Sequence, residues 1–401
     1  MANPSDKKSL IIISSVLFLI ISSTYFISIF ARGYQVDFKG TPSLKATGII
    51  SVTSKPKSAS VYINDKLTTA TDDTLNLPPG EYQVKIAKDG YLPWQKTFKV
   101  KKELVYQTDA QLYRSVPDLK PLTLSGAINP TVSPDGTKII YAVASASASR
   151  DNGLYLIQLN DNLLLLKRNI PKQIAANTSN IDWAKFTFTF SPNSASVLAF
   201  NPVTDINYQL LLESTITPTK LIDITPKLIS IQDEWANQSN QIITGKIGAI
   251  PPELKPLVST DSAKNFSLST TEDKILYLAK ADGTLPDHII PPPPAQRTQV
   301  QTRQIKKDNY YVYDLKDDTN FLLGSKNNIF EPYWLPNSDN VIYVDNDSIK
   351  VTDYDATNLQ TLFAGDFDKN IVIPWTDGSR IVTFTTAYKG SQENLYTITI
   401  R

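Results

Sequence analysis

"NPTVSPDGTKIIYAVA", residues 129 to 144, reads as an extended run, a tight turn and a second apolar strand. Aligned on that turn, related segments begin at Val132, Phe190, Trp235, Leu268, Trp334 and Pro374. They read "VSPDGTKIIYA", "FSPNSASVLAF", "WANQSNQIITG", "LSTTEDKILYL", "WLPNSDNVIYV" and "PWTDGSRIVTF", each a polar turn followed by an apolar strand from the eighth position. Such recurrence predicts four-stranded antiparallel propeller blades, six of them.

Third strands follow where the repeat demands them, as "LYLIQL" (154–159), "YQLLLE" (208–213), "YYVYDL" (310–315), "IKVTDY" (349–354) and "LYTITI" (395–400). The third repeat has no convincing copy around residues 246–258. Fourth strands read as "LLLLKR", "TKLIDI", "NFLLG" and "QTLF". The sixth repeat ends at Arg401 before a fourth strand can form. Closing a ring removes unpaired edges, so "LKPLTLS", residues 119–125, is expected to complete that blade.

Ser133, Pro134, Asp135 and Gly136 form a full S-P-D-G turn, with Ser191-Pro192-Asn193 and Asp377-Gly378 as partial copies. On these residues the region from about 117 to 401 resembles the β-propeller repeats of TolB-type periplasmic proteins. The resemblance implies the fold, and it does not carry the lipoprotein partner of those proteins, which have a different N-terminal domain and no anchor.

From Thr47 to Arg114 the chain alternates apolar and polar residues in short bursts broken by Pro, Gly, Asn and Asp, which predicts half-buried antiparallel strands. About 65 residues suit a small sandwich. Within it Pro79, Gly80, Tyr82, Lys88, Gly90 and Tyr91 stand in the order of a known signature, although Pro79-Gly80-Glu81 departs from its name-giving letters. This stretch resembles the PEGA domain. The resemblance implies an interaction or spacer module of envelope and surface proteins. Both glycines are expected at turns with positive φ, and Tyr82, Tyr91 and Trp94 are expected to pack.

Leu10 to Ala31 is 22 residues without a charge, long enough as a helix to cross the ~30 Å hydrocarbon layer. It exceeds a signal-peptide apolar core and no A-x-A site follows, so it reads as an uncleaved transmembrane anchor in contact with the lipid bilayer. Lys7 and Lys8 favour a cytoplasmic N-terminus, residues 1–9, and place the rest outside the cytoplasm of a single-pass protein in the cell membrane. Residues 32–46 show no period and read as a tether before the 47–114 sandwich.

With 40 Lys+Arg against 39 Asp+Glu, no global field recruits nucleic acid. Cysteine is absent, which excludes disulfides, thiolate metal sites and a cysteine nucleophile. The single histidine, His288, lies in a loop and no G-x-S-x-G elbow accompanies it. "DNDSIKVTDYDA", Asp345 to Ala356, lacks the glycine and glutamate of a calcium loop, and reads as two acidic turns flanking a strand. No cofactor, metal or catalytic residue is therefore expected.

Two features remain as candidate ligand or partner surfaces. Trp235, Trp334 and Trp375 stand at the ends of expected innermost strands, near a channel mouth. The insert 283–309 joins Pro291, Pro292, Pro293 and Pro294 to Arg297 and Arg303, an extended basic arm. The reading is all-β: a PEGA-like sandwich and a six-bladed β-propeller after one transmembrane helix. The expected function is a membrane-anchored envelope scaffold or receptor that recognises a protein or glycan. The alternatives are a propeller-based hydrolase or lyase and a purely structural spacer.

Overall fold

Five of the six aligned segments fold as the same turn. In the computed structural model, which describes residues 4–31, 34–37, 43–159, 171–212, 221–248, 250–261, 265–291, 299–386 and 391–401, the second residue of each repeat donates its N–H to the carbonyl of the seventh. The pairs are Ser133 to Lys138, Ser191 to Ser196, Ser269 to Lys274, Leu335 to Asn340 and Trp375 to Arg380, all at 2.8 or 2.9 Å. The fifth residue is left-handed every time: Gly136, Ser194, Glu272, Ser338 and Gly378 have φ between 56° and 68°. This is a tight turn closed by a left-handed residue, a geometry that matches the twist of the flanking strands. Register follows, with Val132↔Ile139, Phe190↔Val197, Leu268↔Ile275, Trp334↔Val341 and Pro374↔Ile381 as cross-strand partners.

Each of these hairpins belongs to a four-stranded antiparallel sheet. The first runs Ile128–Val132, Lys138–Val143, Gly153–Gln158 and Lys172–Ala176, so its fourth strand lies at 172–176. The "LLLLKR" reading falls outside the described residues. The sixth sheet is completed as the sequence requires: Asp118–Pro121 pairs antiparallel with Glu393–Thr399, joining the start of this unit to its end.

Strands in this region are buried on both faces because each sheet is sandwiched between neighbours. Along Lys138–Val143, Ile139, Tyr141 and Val143 pack with Ile373, Trp375 and Val382 of the sixth repeat. The alternate residues Ile140 and Ala142 pack with Phe188, Phe190 and Val197 of the second. Period-two geometry thus sends successive side chains into different cores, which is why the strand reads as continuously apolar. Full burial of such a side chain stabilises by about 1.5–3 kcal/mol.

The third repeat is the exception. Residues 235–245 lie inside a helix, Leu228–Gly248, here α2, with Pro4–Ala31 as α1. Five blade sheets, not six, are therefore present among the described residues. The face of the fourth sheet that a third blade would cover, carrying Ile275 and Tyr277, packs instead on Ile250, Leu254 and Val258, and on Leu285 and Ile305 of the short hairpin Gly283–Thr284 with Gln304–Ile305.

The chain divides between Leu112 and Tyr113 into two units. In the first, a four-stranded sheet (Lys66–Ala70, Ser60–Ile63, Gly80–Ala87, Trp94–Val100) and a three-stranded one (Val105–Gln107, Gly48–Val52, Asp73–Leu77) share one core that includes Ile50, Val61, Val84, Ile86, Trp94 and Phe98. Trp94–Val100 alternates strictly between buried and exposed residues, as a half-buried strand must. Two expectations are corrected here. Val105–Gln107 pairs parallel with Gly48–Val52, because its chain returns to that edge in the same direction. The tether is partly structured, since Tyr34–Asp37 pairs with Ser43–Ala46 as a hairpin.

Candidate interaction surfaces

The three tryptophans expected to line one mouth do not converge. Trp375 is fully buried between the first and sixth sheets, its ring under the Arg380 guanidinium at 4.0 Å. Trp334 packs against the core between the fourth and fifth sheets, and its indole N–H donates to the Ser267 carbonyl at 3.3 Å. Trp235 is half-exposed on α2. Repeat geometry explains the first two, since the end of a blade's first strand is where neighbouring sheets meet.

The basic arm is also redrawn. Pro291 is exposed, whereas Pro292, Pro293, Pro294 and Arg297 lie outside the described residues. Arg303 is not a solvated cation: its Nη2 donates to Asp318 Oδ2 at 2.8 Å and to the Asp318 carbonyl, and that carboxylate is 2 % exposed. Tyr313 donates its hydroxyl to the other Asp318 oxygen. Burial, and then that bond to a carboxylate, push the Tyr313 phenol well above its ordinary range. Arg303 therefore ties the covering hairpin to the fourth sheet.

Other charges serve the same structural end. Lys274, at the seventh position of its repeat, is buried with Nζ 3.3 Å from Asp273, 3.5 Å from Asp339 of the next repeat and 4.7 Å from the Tyr354 ring. Burial pushes the Asp273 carboxyl up, but hydrogen bonds from Lys316, Thr271 and Ser269 and the Lys274 charge outweigh it and hold the group below its ordinary value. Lys138 reaches the next repeat in the same way, donating to the Ser194 carbonyl at 3.2 Å. The lysine at the seventh position is thus a latch between blades in these two repeats. Asp353 and Asp355 accept from Asn340, Asn358 and Thr357 around a turn. No group of three or more His, Cys, Asp or Glu residues is arranged for a metal among the described residues, and His288 is exposed in a left-handed turn.

What the repeat alignment passed over is α2. It is 21 residues long and none of its residues is buried. Leu228, Ile231, Trp235 and Ile242 fall within roughly 60° of arc at 100° per residue, a single apolar stripe. Ile242 is 37 % exposed and Ile229, off the stripe, 75 %. The sequence carried signals for it: Pro226 near the start, Gly248 at the end, Pro251 just beyond, and three- and four-residue apolar spacing between.

The first unit takes its signature residues into its frame. Lys88 Nζ donates to the Lys57 carbonyl at 2.6 Å and the Ser58 carbonyl at 3.3 Å, and Gly90 has φ 80° in the following turn. Gly80 is not left-handed and opens a strand beside the Tyr82 ring, whose hydroxyl donates to the Pro78 carbonyl at 3.0 Å. Residues 47–115 match the PEGA domain. Lys88 and Tyr82 of the PEGA signature thus anchor backbone segments in this chain.

No curated protein matches the chain. Among solved structures it is similar to an oligogalacturonate lyase in complex with manganese, at 13% identity over 70% of this chain and 68% of that one, with TM-score 0.24. It is also similar to TolB from Acinetobacter baumannii (12% identity, 80% and 60% covered, TM-score 0.19) and to a putative TolB from Agrobacterium tumefaciens (10%, 86% and 99%, TM-score 0.21). At these scores the blade assignment rests on the chain's own sheets.

Proposed function

We propose that this chain is a membrane-anchored binding protein of the cell envelope, held by α1 as an uncleaved single-pass anchor and docking a partner protein on α2. The carrying observation is that α2 presents an apolar stripe with no buried residue, at the place where the repeat calls for a blade. Helices in proteins draw most of their stability from packing an amphipathic face, and a docked protein supplies that face here. α1 supports the anchor through the apolar window Ile12–Ile29, none of which is buried in the fold. A protein is favoured over a glycan because three of the four stripe residues, Leu228, Ile231 and Ile242, are aliphatic and Trp235 is the one ring among them, while Trp183 and Trp375 are buried and Trp334 is engaged with Ser267.

The test is photocrosslinking in intact membranes from stripe positions Ile231 and Ile242 against opposite-face positions Asn240 and Thr244. A common discrete adduct from the two stripe positions alone is expected. Equal labelling of both faces, or none, returns α2 to a spacer role.

A further inference from the structure

We infer that the lysine-rimmed groove of the PEGA domain docks on the anionic headgroup layer of the bilayer that holds α1, an inference that rests on the anchor reading above. The groove has a volume of about 680 Å³ and is lined by Pro79, Val100 and Leu104 together with Lys99, Lys101 and Lys102. Glu81 is the one acidic residue that lines it. Lys101 and Lys102 are exposed at the tip of a turn, and the next residues include Val105, an apolar side chain left 57 % exposed.

Three observations direct this surface to the bilayer. Tyr34 donates its hydroxyl to Glu103 Oε1 at 2.6 Å, so the turn carrying Lys101 and Lys102 is fastened to the segment leaving α1. α1 ends at Ala31, and three residues of extended chain reach at most about 10 Å. The turn is thereby held near the headgroups where a spanning helix emerges. Leu44, 52 % exposed, stands in the same juxtamembrane hairpin and adds an exposed apolar side chain next to the anchor. Lysines over an anionic surface, with apolar side chains between them, are the composition that binds a bilayer interface.

The chain has no cysteine, so single labels are unambiguous. Full-length protein in nanodiscs, of phosphatidylcholine alone or with phosphatidylglycerol, would carry a fluorophore at Ser22→Cys, Lys102→Cys or Asp89→Cys, read by quenchers placed in the lipid. Asp89 lies at the far end of the hairpin formed by Gly80–Ala87 and Trp94–Val100, roughly 23 Å along the strand. Position 22 is expected to be quenched in both lipids, position 102 strongly only with the anionic lipid, and position 89 in neither. In the Lys102→Cys background, Lys99→Gln and Lys101→Gln should each lower the docked-to-undocked ratio about fivefold. Quenching at 22 with position 102 no different from 89, or indifferent to lipid charge or to these substitutions, overturns the docking surface and leaves the anchor intact. Absence of quenching at 22 overturns the anchor, and the docking surface with it.

Discussion

Residues 132–142 and 235–245 share one polarity pattern and take different structures. The first is a hairpin closed by the backbone bond from its second residue to its seventh, repeated in four more copies, and the second lies within a helix none of whose residues is fully buried. Polarity of the turn does not separate them. The difference lies at the strand positions and beyond the segment: "KIIYAV" has five apolar residues in a row for two neighbouring cores, whereas "QIITGK" offers two, followed by a threonine and a glycine. Pro226 and Gly248 then bracket a stretch in which apolar residues recur at helical spacing. A blade strand must satisfy two neighbours at once, and a segment that cannot do so is released to its local preference.

That contrast can be broken most forcefully at the cores. Ile275→Ala, in a fully buried strand residue of the fourth sheet, should cost about 2–5 kcal/mol in urea unfolding. Ile242→Ala, on the exposed stripe of α2, should cost under about 0.5 kcal/mol in the same assay. Similar costs would mean that α2 is packed as a blade.

A subtler test uses the fifth position of the repeat. Glu272 is left-handed at φ 56°, so Glu272→Gly should stabilise by up to about 1 kcal/mol. Ser239, at the same place in the third repeat, is helical, and Ser239→Gly should weaken α2 by about 0.5–1 kcal/mol, read from amide exchange of residues 228–248. Substitutions of opposite sign at one aligned position would tie the difference to backbone conformation.

The smallest expected effect is the pH dependence of the blade latch. Asp273 sits below its ordinary 3.8 in the folded chain, so its stabilising contribution is complete above that pH and fades as pH falls below it. Asp273→Asn should flatten the stability curve on that acid side and leave its shape unchanged near neutrality. An unchanged acid limb would show that the Asp273 carboxylate adds nothing to the latch.

Much of the fold was legible in the sequence because its devices are local. The turn alignment placed five of the hairpins, and the missing edge of the sixth repeat pointed to "LKPLTLS" as the closing strand. The parallel pairing of Val105–Gln107 was not legible, since nothing in an alternating pattern records strand direction. The candidate surfaces were less legible. Trp375 and Arg303 have the composition of binding residues, but burial between sheets and an ion pair to Asp318 decide their roles, and both depend on chain segments far away in sequence. α2 was locally encoded and was masked by a repeat alignment that its polarity happened to fit.

The central claim, that the third repeat is a helix where the others are hairpins, is tested by the distance between spin labels at Glu234→Cys and Ile243→Cys. Their counterparts are cross-strand partners in the five blades: Thr131↔Ile140, Thr189↔Leu198, Ser267↔Leu276, Tyr333↔Ile342 and Ile373↔Val382. A helix separates the two backbone positions by about 13 Å along its axis, and a hairpin by about 5 Å. A distance centred near the helical value, against the hairpin value for labels at Thr189→Cys and Leu198→Cys, is the predicted result. Matching short distances at both sites would contradict the account and restore a sixth blade.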